Sequence, residues 1–457
     1  MIKYDGKIED VRVGYFNKRR REAPSRCYSD TIYTFDIETT SLFKIGGKWT
    51  IFDYDLDAEE YSHEEHMMLA VPYIWMFGVE DKVYYGRNFM DFEKVLLQIK
   101  NPSLTKIIVV HNLSFEMQFL QNIFDKYTIS EMCARDVRKP ISFYVEELNI
   151  EFRCSYMLTN LSLEKASEEY TDVQKKHSLD YDSKVRTEKT ALTPLELEYC
   201  EYDIICLYKI MLHFRDQWKH LARIPLTATG LVRKALQKKV SFSYIKKMWD
   251  LVPPRDMYIK MMATFQGGYT HANALNSGRV FTTDKTDTVE GHKIVDSIKS
   301  FDLSSSYPTV MCLEKFPSTK FRKIDYDDYI DYSKSDNWCF IMRIGLHDVK
   351  SRYYNNYISY SKAIEVSEEN LVYDNGRIRS SAYIEMYVTN IDIDIIRHNY
   401  DISKIDYIEI YVSEARYLDI KVIQFILELY NNKTKLKGVS EKESIYKLSK
   451  AYINSLY

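Results

Sequence analysis

The chain is 457 residues long, 45% hydrophobic and 28% charged, which is enough for two or three domains with real cores. A net charge of −3 excludes a global basic field, so any nucleic-acid binding rests on local patches. No apolar run approaches a membrane span and Met1-Ile-Lys-Tyr-Asp5 lacks a signal-peptide core; the seven cysteines, with no C-x-x-C pair, indicate reduced thiols in a cytoplasmic setting.

Lys18-Arg19-Arg20-Arg21 reads as solvated surface. Thr31 to Thr40 is β-branched and aromatic and predicts a strand. Asp36 and Glu38 are two apart on it and so share one face. Adjacent carboxylates repel unless a cation lies between them, and Mg²⁺ or Mn²⁺ suits such hard oxygens. The competing reading is a plain polar strand face. Tyr73 to Asn88 reads as a strand pair turning at Glu80-Asp81-Lys82, and Phe89 to Lys100 has helical spacing. Lys106 to His111 predicts a buried strand leading into a helix near Asn112-Leu-Ser-Phe115-Glu116, with Asn112 or Ser114 as its cap. An acid is favoured there for capping alone, so Glu116 has a structural reading too. Ile141 to Tyr156 predicts a hairpin. A long helix starts near Thr193 with Pro194 at its first position, and Tyr199 and Asp203 lie one turn apart on it.

Thr227 to Lys247 predicts helices with a basic side, including Arg233, Lys238, Lys246 and Lys247; a solvated face explains them as well as a DNA track does. Phe265-Gln-Gly267-Gly268 is a glycine turn that permits close backbone approach. Phe301-Asp302-Leu-Ser-Ser305-Ser306-Tyr307-Pro308 predicts a strand delivering Asp302 to its end, then a tight turn into a helix, whose free N–H groups favour a phosphate tail. Residues 318–407 are rich in Tyr, Asp and Asn with short strand-like runs. Within them, Tyr326-Asp327-Asp328 reads as surface loop, as does Thr286-Asp287-Thr288 before them. Val422 to Tyr430 predicts a helix, Asn431 to Lys437 a basic break, and Glu441 onward a helix again. Lys450, Asn454 and Tyr457 share one face of that last helix.

Asp36-Ile-Glu38, Asn112-Leu-Ser-Phe115-Glu116 and Tyr199-x3-Asp203 resemble the ordered motifs of the 3′–5′ proofreading exonuclease of family B DNA polymerases, in their protein-primed branch of small phages and linear plasmids. The resemblance implies an RNase H-like exonuclease domain of mixed α/β fold over residues 1–225, with Asp36, Glu38, Glu116 and Asp203 holding divalent metals and Tyr199 orienting the attacking water. Asn112 and Phe115 would contact DNA, and Lys176 in Lys176-His-Ser-Leu179 would assist. Ser155-Tyr-Met-Leu158 is a looser match to a single-strand-binding element. The family usually has Asp where this chain has Glu116, which implies weakened or metal-selective proofreading.

The second half resembles a partial α+β palm and fingers of the same family over residues 226–457. Phe265, Gly267 and Gly268 match the glycine loop between the two activities, with Phe265 for the usual Tyr. Asp302 to Pro308 matches the first polymerase motif, with Ser306 for Leu: Asp302 would hold both metals and Tyr307 would exclude a ribose hydroxyl. Residues 318–407 occupy the place of the insertion that contacts the priming protein, and 422–457 that of the fingers. Lys450, Asn454 and Tyr457 match the nucleotide-binding motif. A family motif that follows, Y-x-D-T-D, is absent from these residues, which predicts a separate or further segment supplying the second carboxylate and poor synthesis by this chain alone. The expected partners are primer–template DNA, dNTPs, a priming protein and that second polypeptide. The alternatives are a stand-alone exonuclease and a non-catalytic module that grips DNA or the priming protein.

Overall fold

The computed structural model describes every residue except 19–24, 46–47, 52–67, 174–184, 269–275, 277, 304, 354–355, 439–442 and 457. Two compact units emerge: Met1–Ala235 with Glu428–Tyr457, and Leu236–Leu427. None of the seven cysteines forms a disulfide, and among the described residues no helix is long and apolar enough to cross a membrane.

The first unit begins with β1 (Ile2–Lys3) and a small ribbon of β2 (Tyr15–Lys18) and β3 (Arg26–Ser29). Its main sheet is nine-stranded. The strands that follow in the chain are β4 (Tyr33–Ile45), β5 (Lys48–Ile51), β6 (Met68–Val79) and β7 (Lys82–Gly86), then α1 (Asp91–Ile99), β8 (Lys106–Val110), α2 (Leu113–Phe124), β9 (Ile129–Asp136), β10 (Lys139–Val145) and β11 (Ile150–Cys154). The spatial order is β1-β7-β6-β4-β8-β11-β10-β9, with β5 on β4. β4, β8 and β11 run parallel, while β6 lies antiparallel to β4. The helices α3 (Tyr156–Thr159), α4 (Leu163–Tyr170) and α5 (Pro194–Trp218) complete this part.

The two-residue period of β4 decides which face each side chain takes. Phe35 and Ile37 are buried with Phe92, Leu96, Leu113 and Leu120 of α1 and α2. The alternate residues, Asp36 and Glu38, therefore look to the other face. Their cross-strand partners Met76 and Ile74 pack there with Tyr199, Cys200 and Ile204 of α5. The acids and the helix that carries Asp203 are thus on the same side by sheet geometry.

α6 (Ala228–Lys239) contains the boundary between the units. The second unit continues with α7 (Phe242–Asp250), α8 (Arg255–Thr264), the short strands β12 (Val280–Thr282) and β13 (His292–Ile294), and α9 (Ser306–Leu313). Then come β14 (Phe316–Pro317), β15 (Arg322–Ile324), α10 (Tyr326–Tyr332), β16 (Trp338–Ser351), β17 (Ala363–Val366), β18 (Val372–Asp374), β19 (Arg377–Thr389), α11 (Asn390–Asn399), β20 (Tyr400–Asp401) and β21 (Lys404–Arg416). These strands make an eight-stranded sheet of order β14-β21-β16-β19-β17. Met342, Ile344 and Leu346 of β16 bury one face against Tyr329 of α10 and Ile393 and Ile396 of α11. On the alternate positions, Lys260 of α8 donates to Glu409 Oε2 at 2.9 Å and to the Tyr387 hydroxyl at 3.1 Å. α12 (Ile420–Leu436) and α13 (Glu443–Asn454) close the chain.

Several sequence expectations are corrected. Phe301 to Leu303 forms no strand. Phe301 is 89% and Leu303 81% exposed, so this apolar run has no sheet edge to pair with among the described residues, and a strand without a partner is not stable. Residues 318–407 hold the expected short strands β15, β17, β18 and β20, and also long ones that the sequence did not signal: β16 has 14 residues, and β19 and β21 have 13 each. Tyr326 to Asp328 opens α10 rather than a loop, since the Asp325 side chain accepts the Asp328 N–H at 2.8 Å and caps it. Asn431 to Leu436 continues α12, because nothing there breaks a helix before Gly438, whose φ is +81°.

Candidate active site

Three segments deliver carboxyl groups to one place in the first unit. Asp36 and Glu38 stand on the middle of β4. Glu116 lies in the first turn of α2, directly after the fully buried strand β8. Asp203 comes from α5, whose start is fixed by a capping box: the Thr193 hydroxyl accepts the Glu196 N–H at 3.2 Å, and the Glu196 carboxylate accepts the Thr193 N–H at 2.7 Å. Tyr199 and Asp203 are both buried on the inner side of α5.

One oxygen from each of Asp36, Glu38 and Asp203 lies within 4.8 Å of the others. Glu116 is not one of these three mutually close carboxylates, but its charge is felt at Asp36. Glu38, Glu116 and Asp203 are buried. Burial pushes Asp36 well above the usual carboxylate range, and the charges of Glu38, Asp203 and Glu116 push it further. Burial likewise raises Glu116 to about 8. Its Oε2 is buried and accepts no hydrogen bond. A cluster of hard oxygen donors that repel one another, one of them an orphaned buried atom, fits Mg²⁺ or Mn²⁺. Asp36, Glu38, Glu116 and Asp203 are the residues that would hold it.

Asn112 precedes α2 in the left-handed region (φ +66°) and makes no side-chain cap, so the expected capping role is not seen; the strand-to-helix turn instead leaves its side chain exposed. Ser114 lies inside α2, beyond the capping position. Phe115 is exposed beside it, and its ring meets that of Phe119 at 5.3 Å. His111 Nδ1 lies 2.9 Å from Ser155 Oγ, tying the end of β8 to the start of α3. Arg186 went unnoticed in the sequence. Its N–H donates to Thr40 Oγ1 at 3.1 Å, the Thr40 hydroxyl donates back to the Arg186 carbonyl at 2.8 Å, and its guanidinium pairs with Glu196 at 2.7 Å. It thereby joins β4 to the start of α5 across a separation in sequence that no local pattern signals.

The remaining predicted residues lie elsewhere. Asp302 is exposed in an irregular segment of the second unit, and Tyr307 is half exposed in the first turn of α9, behind Ser305 in the left-handed region (φ +51°). Phe265 is exposed at the end of α8, and Gly267, with φ +69°, and Gly268 have open space around them. Lys450 and Asn454 are exposed one turn apart on α13 in the first unit. That helix buries Ile453 and brings the Tyr452 hydroxyl to 3.4 Å from that of Tyr170. Lys176 and Tyr457 lie outside the described residues.

The nine-stranded mixed sheet and the second, eight-stranded sheet unit together define a fold that is shared with a phage DNA polymerase. The structure is similar to phi29 DNA polymerase complexed with primer–template DNA and incoming nucleotides, with a TM-score of 0.64, 16% identity, and coverage of 94% of this chain and 67% of that one. It is similar to the same polymerase with primer–template DNA alone (TM-score 0.62, 15% identity, 93% and 66% covered) and with single-stranded DNA (TM-score 0.60, 15% identity, 93% and 66% covered). The chain thus spans about two thirds of the length of the phi29 enzyme. No relative was found among curated proteins. Residues 180–457 match the family described as DNA polymerase type B, organellar and viral, and the chain belongs to that family.

Proposed function

We propose that this chain carries the 3′–5′ proofreading exonuclease and part of the synthesis site of a protein-primed DNA polymerase that replicates viral or plasmid DNA in the cytoplasm. The convergence of Asp36, Glu38 and Asp203 from separate segments, with Glu116 electrostatically coupled to Asp36, is the observation that supports the exonuclease most directly. These residues would hold divalent ions, which would supply an activated water near neutral pH and neutralise the leaving 3′ oxygen. Tyr199, one turn before Asp203, orients that water. Asn112 and Phe115 grip the unpaired 3′ end, with Lys176 assisting.

The synthesis half uses Asp302 as metal ligand, Tyr307 against the sugar, and Lys450, Asn454 and Tyr457 on the incoming dNTP. Phe265, Gly267 and Gly268 contact the primer–template. Residues 318–407 are the surface for the priming protein. The exposure of Phe301 and Leu303 on either side of Asp302 supports a further polypeptide that covers them and contributes the second carboxylate. The same exposure favours a second reading, in which this chain by itself is an exonuclease only.

The test uses a 5′-labelled primer, alone and on a longer template, with Mg²⁺ or Mn²⁺. Shortening of the free primer is expected, lost in Asp36→Ala and Asp203→Ala. No cleavage with either metal, or cleavage that survives Asp36→Ala, would sink the exonuclease. Extension with dNTPs by this chain alone, lost in Asp302→Ala, would remove the need for a second polypeptide.

A further inference from the structure

Helix α7 of the second unit is nine residues long and buries none of them. It is nonetheless well formed, with the Ser241 hydroxyl accepting the Tyr244 N–H at 3.2 Å at its start. Phe242 is 71% exposed and Trp249 49%, and their rings meet edge to face at 6.4 Å. They are two turns apart on one side of the helix, and Lys246 falls between them, one turn from each. Lys246 is exposed as well. Around the helix from this ladder, Tyr244 and Lys247 line a pocket of about 210 Å³ with Phe316, Arg416 and Tyr417. The acids close by are Asp250 on the helix, Asp419 on the pocket wall and Glu414, which pairs with Arg416 at 2.8 Å.

A core-facing helix would bury its large rings, and a purely solvated one would not carry two of them in register. Exposed rings alternating with cations match a ligand with flat faces and a charged backbone. Each base of a single strand offers a face to stack on, and each phosphate an anion for a lysine; a duplex hides the base faces. The family of the chain handles DNA.

We propose that the Phe242–Lys246–Trp249 face and the adjoining pocket form a single-stranded DNA binding surface, additional to the carboxylate site. Bases stack on Phe242 and Trp249, and Lys246 and Lys247 hold the intervening phosphates. This inference does not rest on the exonuclease reading.

The experiment uses the full chain carrying Asp36→Ala, so that DNA persists, and follows the anisotropy of a fluorescein-labelled oligo(dT) of about 16 nucleotides. Trp249→Ala and Phe242→Ala are each expected to weaken binding about fivefold to a hundredfold. Lys246→Ala with Lys247→Ala is expected to lower the slope of log affinity against log salt by about 1.4. Binding quenches Trp249 emission, a change missing from Trp249→Phe, which keeps most of the affinity. Equal affinity in all variants, or equal competition by a duplex of the same length, overturns the proposal. So does a Trp249-dependent dimer in sedimentation, which would make a second copy the occupant. Thermal melts separate loss of binding from loss of fold, and Lys246→Gln and Trp249→Phe serve where an alanine variant melts early. If the exonuclease reading fails, cleavage survives Asp36→Ala while this binding and its quench persist.

Discussion

Glu116, in the first turn of α2, is electrostatically coupled to Asp36 in the middle of β4: its charge helps to hold the Asp36 carboxyl well above the usual range. Buried carboxyl groups that repel one another retain a proton or a cation, because they cannot all stay ionised without one. Glu116→Asp withdraws the carboxyl by about 1 Å and is expected to slow single-strand cleavage by about tenfold to a hundredfold. Steady-state degradation of a labelled oligonucleotide checks it; a faster enzyme would show that Glu116 is a handicap.

The proton held there links stability to pH. Burial raises Glu116 from 4.5 to about 8 in the fold. Between those values the folded protein keeps a proton that the unfolded chain has released, so metal-free stability falls as pH rises through that window. Melting in EDTA is expected to show this fall, and Glu116→Gln to flatten it. Mg²⁺ or Mn²⁺ displaces the proton, so it raises the melting temperature more at the alkaline end.

His111 titrates with the opposite sense. Burial lowers it from 6.5 to about 4, so the imidazole is neutral in the fold while the unfolded chain binds a proton. Its contribution is complete above the unfolded value and is lost as pH falls towards the folded one, by up to about 3 kcal/mol. His111→Gln is expected to reduce the difference in urea stability between those two pH values. An unchanged difference would show that the ring is solvated.

Gly78 of β6 sets how closely α5 approaches the sheet. A Cβ there would lie 2.1 Å from Thr34 Oγ1 and 2.9 Å from Ile204 Cγ2, and Ile204 adjoins Asp203. Gly78→Ala is expected to cost about 1–3 kcal/mol from overpacking. Displacement of Asp203 should also lower cleavage by about tenfold or more. Adding Thr34→Ala should recover part of both, measured by urea melts and cleavage on the same preparations.

The local chemistry of the candidate site was legible in the sequence because each part of it is short-range. A β-branched run makes β4, and its period of two puts Asp36 and Glu38 on one face; Thr193-Pro194 starts α5 and places Tyr199 one turn before Asp203. The same holds for the helices α1, α12 and α13, apart from where α12 ends. What the sequence could not supply was anything set by a distant neighbour. Asp302 follows an apolar residue as a strand end would, yet pairing needs a second strand, and among the described residues none reaches it. How far the strands of residues 338–416 extend depends on α10 and α11 covering one face of their sheet. The coupling of Glu116 to Asp36, the Arg186 tie and the edge-to-face pair of exposed rings, Phe242 and Trp249, are likewise matters of distance. Sequence by itself determined which residues carry charge, rings and helical or strand periodicity, since those are properties of the chain within a turn or two. The tertiary structure alone decided which carboxyls meet and which are left in solvent, since burial and electrostatic coupling depend on neighbours that only folding brings close.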